Sequence, residues 1–182
     1  GNLVILAARP SVGKTTIAMQ IAQAASADNN KTLVFSLEMT KKELVQRLLQ
    51  STGLVSQYEL VTHNINWDNF ERALGMVVNS NLIINDDAYN IHDIRHKIIT
   101  SVKTQGVKMV IIDYLQLIKG ADPRLSMNDQ VGELTSALKQ TAKQCNIPII
   151  VLSQLSRESV RENRSPQLYD LRSSGAIEQD AD

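Results

Sequence analysis

Five short runs of Val, Ile and Leu set the limits on what this 182-residue chain can become: Leu3–Ala7, Thr32–Ser36, Leu82–Ile84, Met109–Ile112 and Ile149–Leu152. Each is nearly continuous in apolar residues rather than alternating, the pattern of strands covered on both faces. Helical patterns fill the intervals. "TKKELVQRLL" opens on Thr40 and Glu43, spaced as a capping box, with Met39 and Leu44 placed as a hydrophobic staple. "YNIHDIRHKIITSVK" offers Asn90 as N-cap and Ile91, Ile94, Ile98 and Val102 on one face. "NDQVGELTSALKQTAKQC" repeats Val131, Leu134, Leu138, Ala142 and Cys145 at helical spacing. Strands alternating with helices predict an α/β fold, a mostly parallel twisted sheet with right-handed crossovers and helices on both faces.

The length suits one domain, residues 1–182. A hydrophobic share of 43% with 21% charged residues is that of an ordinary globular protein and excludes disordered and fibrous classes. Formal net charge is zero, so any nucleic-acid contact must be local. No run approaches the roughly 20 apolar residues of a membrane span, and no signal-peptide pattern opens the chain. A single cysteine, Cys145, rules out an internal disulfide and fits a reducing, cytoplasmic setting. Its place in the helical repeat makes it a packing residue rather than a reactive thiol. Both ends read as truncated: residue 1 is Gly, not Met, and no closing element is predicted in "SSGAIEQDAD".

Chemistry enters between the first apolar run and the first helix. "ARPSVGKTT", Ala8 to Thr16, follows "LVILA" and leads into "TIAMQIAQAA". It fits the phosphate-loop pattern G-x-x-x-x-G-K-[ST], with Ala8 in place of the first glycine. In such a loop the backbone N–H groups turn toward an anion at a helix N-terminus, where the dipole also favours negative charge. Gly13 allows close backbone approach, Lys14 reaches the β- and γ-phosphates, and the Thr15 hydroxyl binds Mg²⁺. The first glycine eases entry into the turn, so Ala8 is tolerated if its φ stays negative. With Arg9, Pro10, Ser11, Val12 and Thr16 completing the cradle, a nucleotide and Mg²⁺ are the expected ligands.

Hydrolysis needs a second carboxylate on the metal side and a group that activates water. "MVIID" delivers Asp113 at the end of an apolar strand, the Walker B arrangement. "LVFSLE" ends in Glu38 on the strand after the loop helix, where a carboxylate can orient and deprotonate the attacking water. The alternative for Glu38 is a solvated residue before the next helix cap. "IIVLSQLSR" carries Gln154 just past its strand, where an amide can bond a γ-phosphate and report its loss, or simply cap a loop.

"AARPSVGKT", "FSLEM", "VIIDYLQLI", "LSQLSR" and "DLRSSGAIEQDAD" together resemble, in order and spacing, the successive motifs of the RecA-like motor domain of DnaB-type replicative helicases. The resemblance covers essentially the whole chain. That family commonly carries Ala-Arg-Pro-Ser before its GKT, as here. More distant RecA-like relatives, recombinases and clock-type ATPases that assemble without unwinding duplexes, share the Walker elements but not "DYLQL" or "RSSGAIEQDAD". The resemblance implies a RecA-like P-loop fold and a homohexameric ring. That ring encircles single-stranded DNA and moves 5′ to 3′ on ATP hydrolysed between subunits, with primase and a helicase loader as partners. Lys14 and Thr15 would hold phosphates and metal, Glu38 would be the general base, Asp113 the Mg²⁺-side acid and Gln154 the sensor. Arg47 would lie against the adenine, although a solvated position on its helix is an equal reading.

The family's central channel is lined by loops after the Walker B and sensor strands, here "KGADPRLS" and "SRESVRENRSPQ" running into "DLRSSG". These supply Arg124, Arg157, Arg161, Arg164, Arg172, Ser173 and Gly175 as expected DNA contacts. Where the family usually has Glu after the Arg172 position, this chain has Ser173. From Ser156 to Arg172, four arginines face Glu158, Glu162 and Asp170, so one subunit contributes a net charge of only about one. The near-absence of aromatics in both loops favours phosphate tracking over base stacking. The resemblance further implies an arginine finger downstream of "EQDAD" and a collar and linker upstream, so these 182 residues alone are expected to bind nucleotide but hydrolyse it poorly. His92 and His96, four residues apart, lack a third ligand and read as a solvated helix face. Trp67 and Phe70, after Asn66 at a helix start, read as packing residues.

Overall fold

A computed structural model describes the chain except residues 121–123, 156–163, 166, 168–169 and 172–173; the side chains of Met127, Ser174 and Ala176 are also outside the description. In chain order the elements are β1 (Leu3–Ala8), α1 (Lys14–Ala27), β2 (Thr32–Ser36), α2 (Lys41–Ser51), α3 (Gln57–Thr62), α4 (Trp67–Val78), β3 (Leu82–Asn85), α5 (Ile91–Gln105), β4 (Met109–Asp113), a 3-10 turn (Leu115–Leu117), α6 (Met127–Cys145), β5 (Ile149–Gln154) and α7 (Ser174–Asp180). The five strands form one parallel sheet in the order β1-β5-β4-β2-β3. This is the RecA-like arrangement expected from the motifs.

Pleating sends alternate residues of each strand to opposite faces, and both faces are covered. Leu33, Phe35, Val110, Ile112, Ile149 and Val151 pack with Ile91, Ile94 and Ile98 of α5 and Val131, Leu134 and Leu138 of α6. Val34, Met109, Ile111 and Leu152 pack on the other face against Ala18, Met19 and Ala22 of α1 and Leu44 and Leu48 of α2. The small residues of α1 let that helix lie close to the sheet and hold the loop before it against the strand ends. Full burial runs through β2 and β4 but not through the edge strands: Val4 of β1 is exposed and β3 is half-buried along its length. The uniform apolar runs had suggested equal covering for all five. An edge strand has a neighbour on one side only, which is the reason for the difference.

The local signals act as read. Thr40 accepts from the Glu43 N–H while the Glu43 carboxylate accepts from Thr40, and the same reciprocal box joins Ser56 and Glu59 at α3. Asn90 caps α5. Cys145 is partly buried against the α5–α6 face, and burial pushes its thiol up while Lys103 opposes. His92 and His96 are both exposed on the solvent side of α5. Two expectations need correction. Trp67 is not a core residue: it is 65% exposed and meets Phe70 edge-on at a ring separation of 5.8 Å. Phe70, by contrast, faces the small cluster of Leu49, Val55 and Ala73 between α2 and α4. The final stretch is also not without a closing element. Ile177 of α7 is buried, Thr135 of α6 donates to Asp180 at 2.7 Å, and Asp182 accepts from the Leu3 N–H at 2.7 Å while pairing with Lys139. Its own N–H donates to the Leu3 carbonyl, so the tail lies along β1.

Among the described residues no helix is long and apolar enough to cross a membrane.

Candidate functional site

Because every strand is parallel, all strand C-termini share one edge of the sheet, the edge at which open α/β sheets bind ligands. Ala8, Ser36, Asp113 and Gln154 end, respectively, β1, β2, β4 and β5 there, with Ala8 opposite Gln154 and Ser36 opposite Asp113. Glu38 follows two residues past β2. A cleft of about 870 Å³ opens at this edge.

The loop from Ala8 to Gly13 turns sharply. Ser11 has φ of 63° and Gly13 has φ of 96°, a left-handed conformation that favours glycine. A Cβ on Gly13 would meet nothing within 4 Å, so backbone conformation rather than crowding demands glycine here. Ala8 is not among the positive-φ residues, which meets the condition for its replacing glycine. Gly13 caps α1 with no side-chain bond, and no acidic residue sits in the first turn, leaving the helix N-terminus to an external anion.

Ninety-eight residues apart in sequence, Thr15 and Asp113 meet: the Thr15 hydroxyl donates to Asp113 Oδ2 at 2.6 Å. Asp113 is 5% exposed, and its Oδ1 is buried with no partner among the described residues. A hydroxyl beside a buried, unsatisfied carboxylate oxygen is a hard-oxygen donor pair, of the kind Mg²⁺ takes through one or two protein ligands plus phosphate and water. No group of three or more His, Cys, Asp or Glu side chains gathers among the described residues.

Lys14 is within electrostatic reach of both carboxylates. Half-burial pushes its ammonium below the ordinary lysine range, and Asp113 and then Glu38 pull it back. Its Nζ lies 4.5 Å from the centre of the Tyr114 ring, which the residue order "DYLQL" places directly after Asp113. Arg9, Pro10, Ser11, Gly13, Lys14, Thr15 and Thr16 line the cleft, as do Glu38, Arg47 and Gln154. Ala8 and Val12 do not: Ala8 accepts from the Leu155 N–H, and Val12 points to solvent. Gln154 is braced from behind, its N–H donating to Gln116 Oε1 at 3.4 Å while Gln116 Nε2 donates to Ser153 at 3.0 Å.

A family model for the DnaB-like helicase C-terminal domain matches residues 1–182. The chain belongs to this family. The DnaB replicative helicase of Geobacillus stearothermophilus is 39% identical over the whole chain, which covers 41% of that protein. The one from Haemophilus influenzae is 37% identical, also with 41% covered. Among solved structures, a DnaB-like replicative helicase described with its primase interactions superposes with a TM-score of 0.91 at 36% identity, covering all of this chain and 45% of that one. A separately solved ATPase domain gives 0.92 at 36% identity, with 67% of that chain covered. The chain thus spans about two-fifths of the length of these curated relatives.

In this DnaB-like domain several cleft residues carried no motif. Gln20 and Gln23 share the Thr16 face of α1, and Gln50 and Ser51 share the Arg47 face of α2, with Gln23 Nε2 donating to Ser51 Oγ at 2.8 Å. Helical spacing from Thr16 and Arg47 was the signal that could have found them. Of the expected DNA contacts, Arg157, Arg161, Arg172 and Ser173 lie outside the described residues. Arg124 is exposed just before α6, and Gly175 is exposed in the first turn of α7 with open space around it. Arg164 is turned inward, its guanidinium paired with Asp170.

Proposed function

We propose that this chain is the motor domain of a replicative DNA helicase. It binds ATP in the cleft between the Ala8–Thr16 loop and α2 and hydrolyses it at the subunit boundaries of a homohexameric ring. The ring moves 5′ to 3′ along single-stranded DNA and unwinds duplex at the replication fork in the bacterial, or phage-infected bacterial, cytoplasm. The observation that carries this reading is the contact of Thr15 with the buried Asp113, beside a cleft that Thr15, Lys14 and Glu38 line.

Each residue has a task set by its position. The N–H groups of the loop and the Lys14 ammonium hold the phosphates, and the lowered lysine pKa marks an ammonium that gains when a polyanion arrives. Thr15 and Asp113 would hold Mg²⁺, which neutralises charge developing on the phosphate oxygens. Glu38, exposed in the lining of the cleft, takes the proton from the attacking water. Arg47 covers the base. Gln154 bonds the γ-phosphate, and its loss is felt by the chain after β5. Arg124, Arg157, Arg161, Arg172, Ser173 and Gly175 follow β4 and β5, and they would meet the DNA backbone without reading its bases. Primase is proposed as a partner because a relative was solved with its primase interactions described, and a helicase loader from the family resemblance.

The test uses the full-length protein with Lys14→Ala and Glu38→Gln. DNA-stimulated ATP turnover and strand displacement on a forked substrate should both vanish, while Glu38→Gln still binds labelled ATP. DNA-stimulated turnover surviving both changes would overturn the chemistry. Turnover without strand displacement in the wild type would favour an assembling ATPase that does not unwind.

A further inference from the structure

Arg164 and Asp170 stand apart from the reacting groups, yet they form the most enclosed ion pair among those described. Arg164 Nη1 donates to Asp170 Oδ2 at 2.6 Å and Nη2 to Oδ1 at 2.8 Å, a two-pronged bond. Asp170 is 0% exposed and accepts a third bond from the Gln167 N–H at 2.7 Å. These donors hold its carboxyl below the usual carboxylate range, Arg164 foremost. A carboxylate so enclosed is a fixed point for the backbone on either side of it.

That fixed point adjoins the entry to the phosphate loop. Leu155, next after Gln154, donates its N–H to the Ala8 carbonyl at 3.2 Å and forms an antiparallel bridge with Leu171, the neighbour of Asp170. Arg9, which lines the cleft, donates from Nη2 to the Arg164 carbonyl in a long bond of 3.5 Å. The backbone bonds of Leu155 and the Arg9–Arg164 contact thus place the ion pair beside the start of the phosphate loop, the end of the strand carrying Gln154, and Leu171.

We propose that the Arg164–Asp170 pair is a positioning latch that couples the nucleotide cleft to the DNA-contacting segment after β5, and that Arg164 serves this coupling rather than gripping phosphate. The proposal rests on the ATPase reading above. A two-pronged pair is either made or broken, so its loss would release Asp170 and its neighbour Leu171 together. Lysine cannot replace arginine in such a latch, because a point charge does not make two parallel bonds.

The full-length protein separates the alternatives through Asp170→Asn, Arg164→Lys, Arg164→Gln and the Asp170→Asn/Arg164→Lys double variant. The measurements are ATP turnover with and without single-stranded DNA, and the slope of DNA affinity against salt. With Asp170→Asn, turnover without DNA should stay within about twofold of wild type while stimulation by DNA falls about tenfold or more. Arg164→Lys should lose stimulation equally, and the double variant should be no worse than either single change. The salt slope should not move. An Arg164→Lys variant with normal stimulation, or an Arg164→Gln variant whose slope falls by about 0.7 per contact, would make Arg164 a phosphate contact and overturn the latch. Loss of basal turnover in step with stimulation would also overturn it, since the pair would then merely hold the fold. A wild type with no ATP turnover would sink the ATPase reading itself; a stimulated wild type with stimulated variants sinks the latch alone.

Discussion

Replacing Thr15 by Val removes one hydroxyl and keeps the shape of the side chain, which isolates the contact on which the site is built. The bond it breaks is 2.6 Å long and ends on a carboxylate that is 5% exposed. Hydrogen bonds to charged groups contribute roughly 1.5–3 kcal/mol, and here the carboxylate's other oxygen lacks a donor among the described residues. Thr15 itself is half-buried, so water recovers part of the loss, leaving about 1.5–2 kcal/mol. For a chain of this length each kcal/mol moves the melting temperature by about 2–4 °C, so Thr15→Val should melt about 3–8 °C lower without nucleotide. Thr15→Ser keeps the hydroxyl and should stay close to wild type. In a double-mutant cycle with Asp113→Asn, calorimetry should return a coupling of about 1–2 kcal/mol. A magnesium-bound ATP analogue at about a hundredfold excess over its Kd should add about 2.7 kcal/mol to the wild type, and much less to Thr15→Val. If the Val and Ser variants melt together and the cycle closes to zero, the Thr15–Asp113 contact does not exist in solution.

The packing and the carboxylates lead to two further outcomes. Trp67→Ser should change stability by less than about 0.5 kcal/mol in a denaturant titration, because Trp67 is exposed, whereas Phe70→Ala should cost several times more. Asp170 and Asp182 both sit below the ordinary carboxylate range, held by Arg164 and Lys139. Their stabilisation is present above the unfolded value of about 3.9 and is lost as pH falls through the lower folded values. Melting temperature followed against pH should hold level above about pH 5 and drop steeply below about pH 4, and Asp182→Asn should flatten that drop.

The Thr15–Asp113 contact also shows how far linear order reaches. The phosphate loop was legible because its function is local: a left-handed Gly13, a lysine and a hydroxyl in consecutive positions at a helix start. Asp113 was legible as a carboxylate ending an apolar strand, but not as a residue whose second oxygen is orphaned, since that depends on which side chains surround it. Tyr114 stood in the "DYLQL" motif, but its place under the Lys14 ammonium follows from folding and not from that motif. Arg164 was grouped with the other arginines of the loop after β5, which the family resemblance makes a DNA-channel loop. Its pairing with a buried Asp170 six residues on follows from how the chain returns to bridge Leu155 with Leu171, and no spacing rule encodes that.

Strand runs, caps and the phosphate loop were written in the order of the residues, because each depends on neighbours within a turn or a few pleats: Thr40 finds Glu43, Asn90 caps the helix it begins, and continuous apolar runs demand a two-sided sheet. Folding settled which strands lie at the edge, which arginine turns inward, and which carboxylate oxygen goes without a partner. These are properties of distant segments brought together. Burial and electrostatic strength depend on everything within a few ångströms, and a linear sequence does not state what that will be.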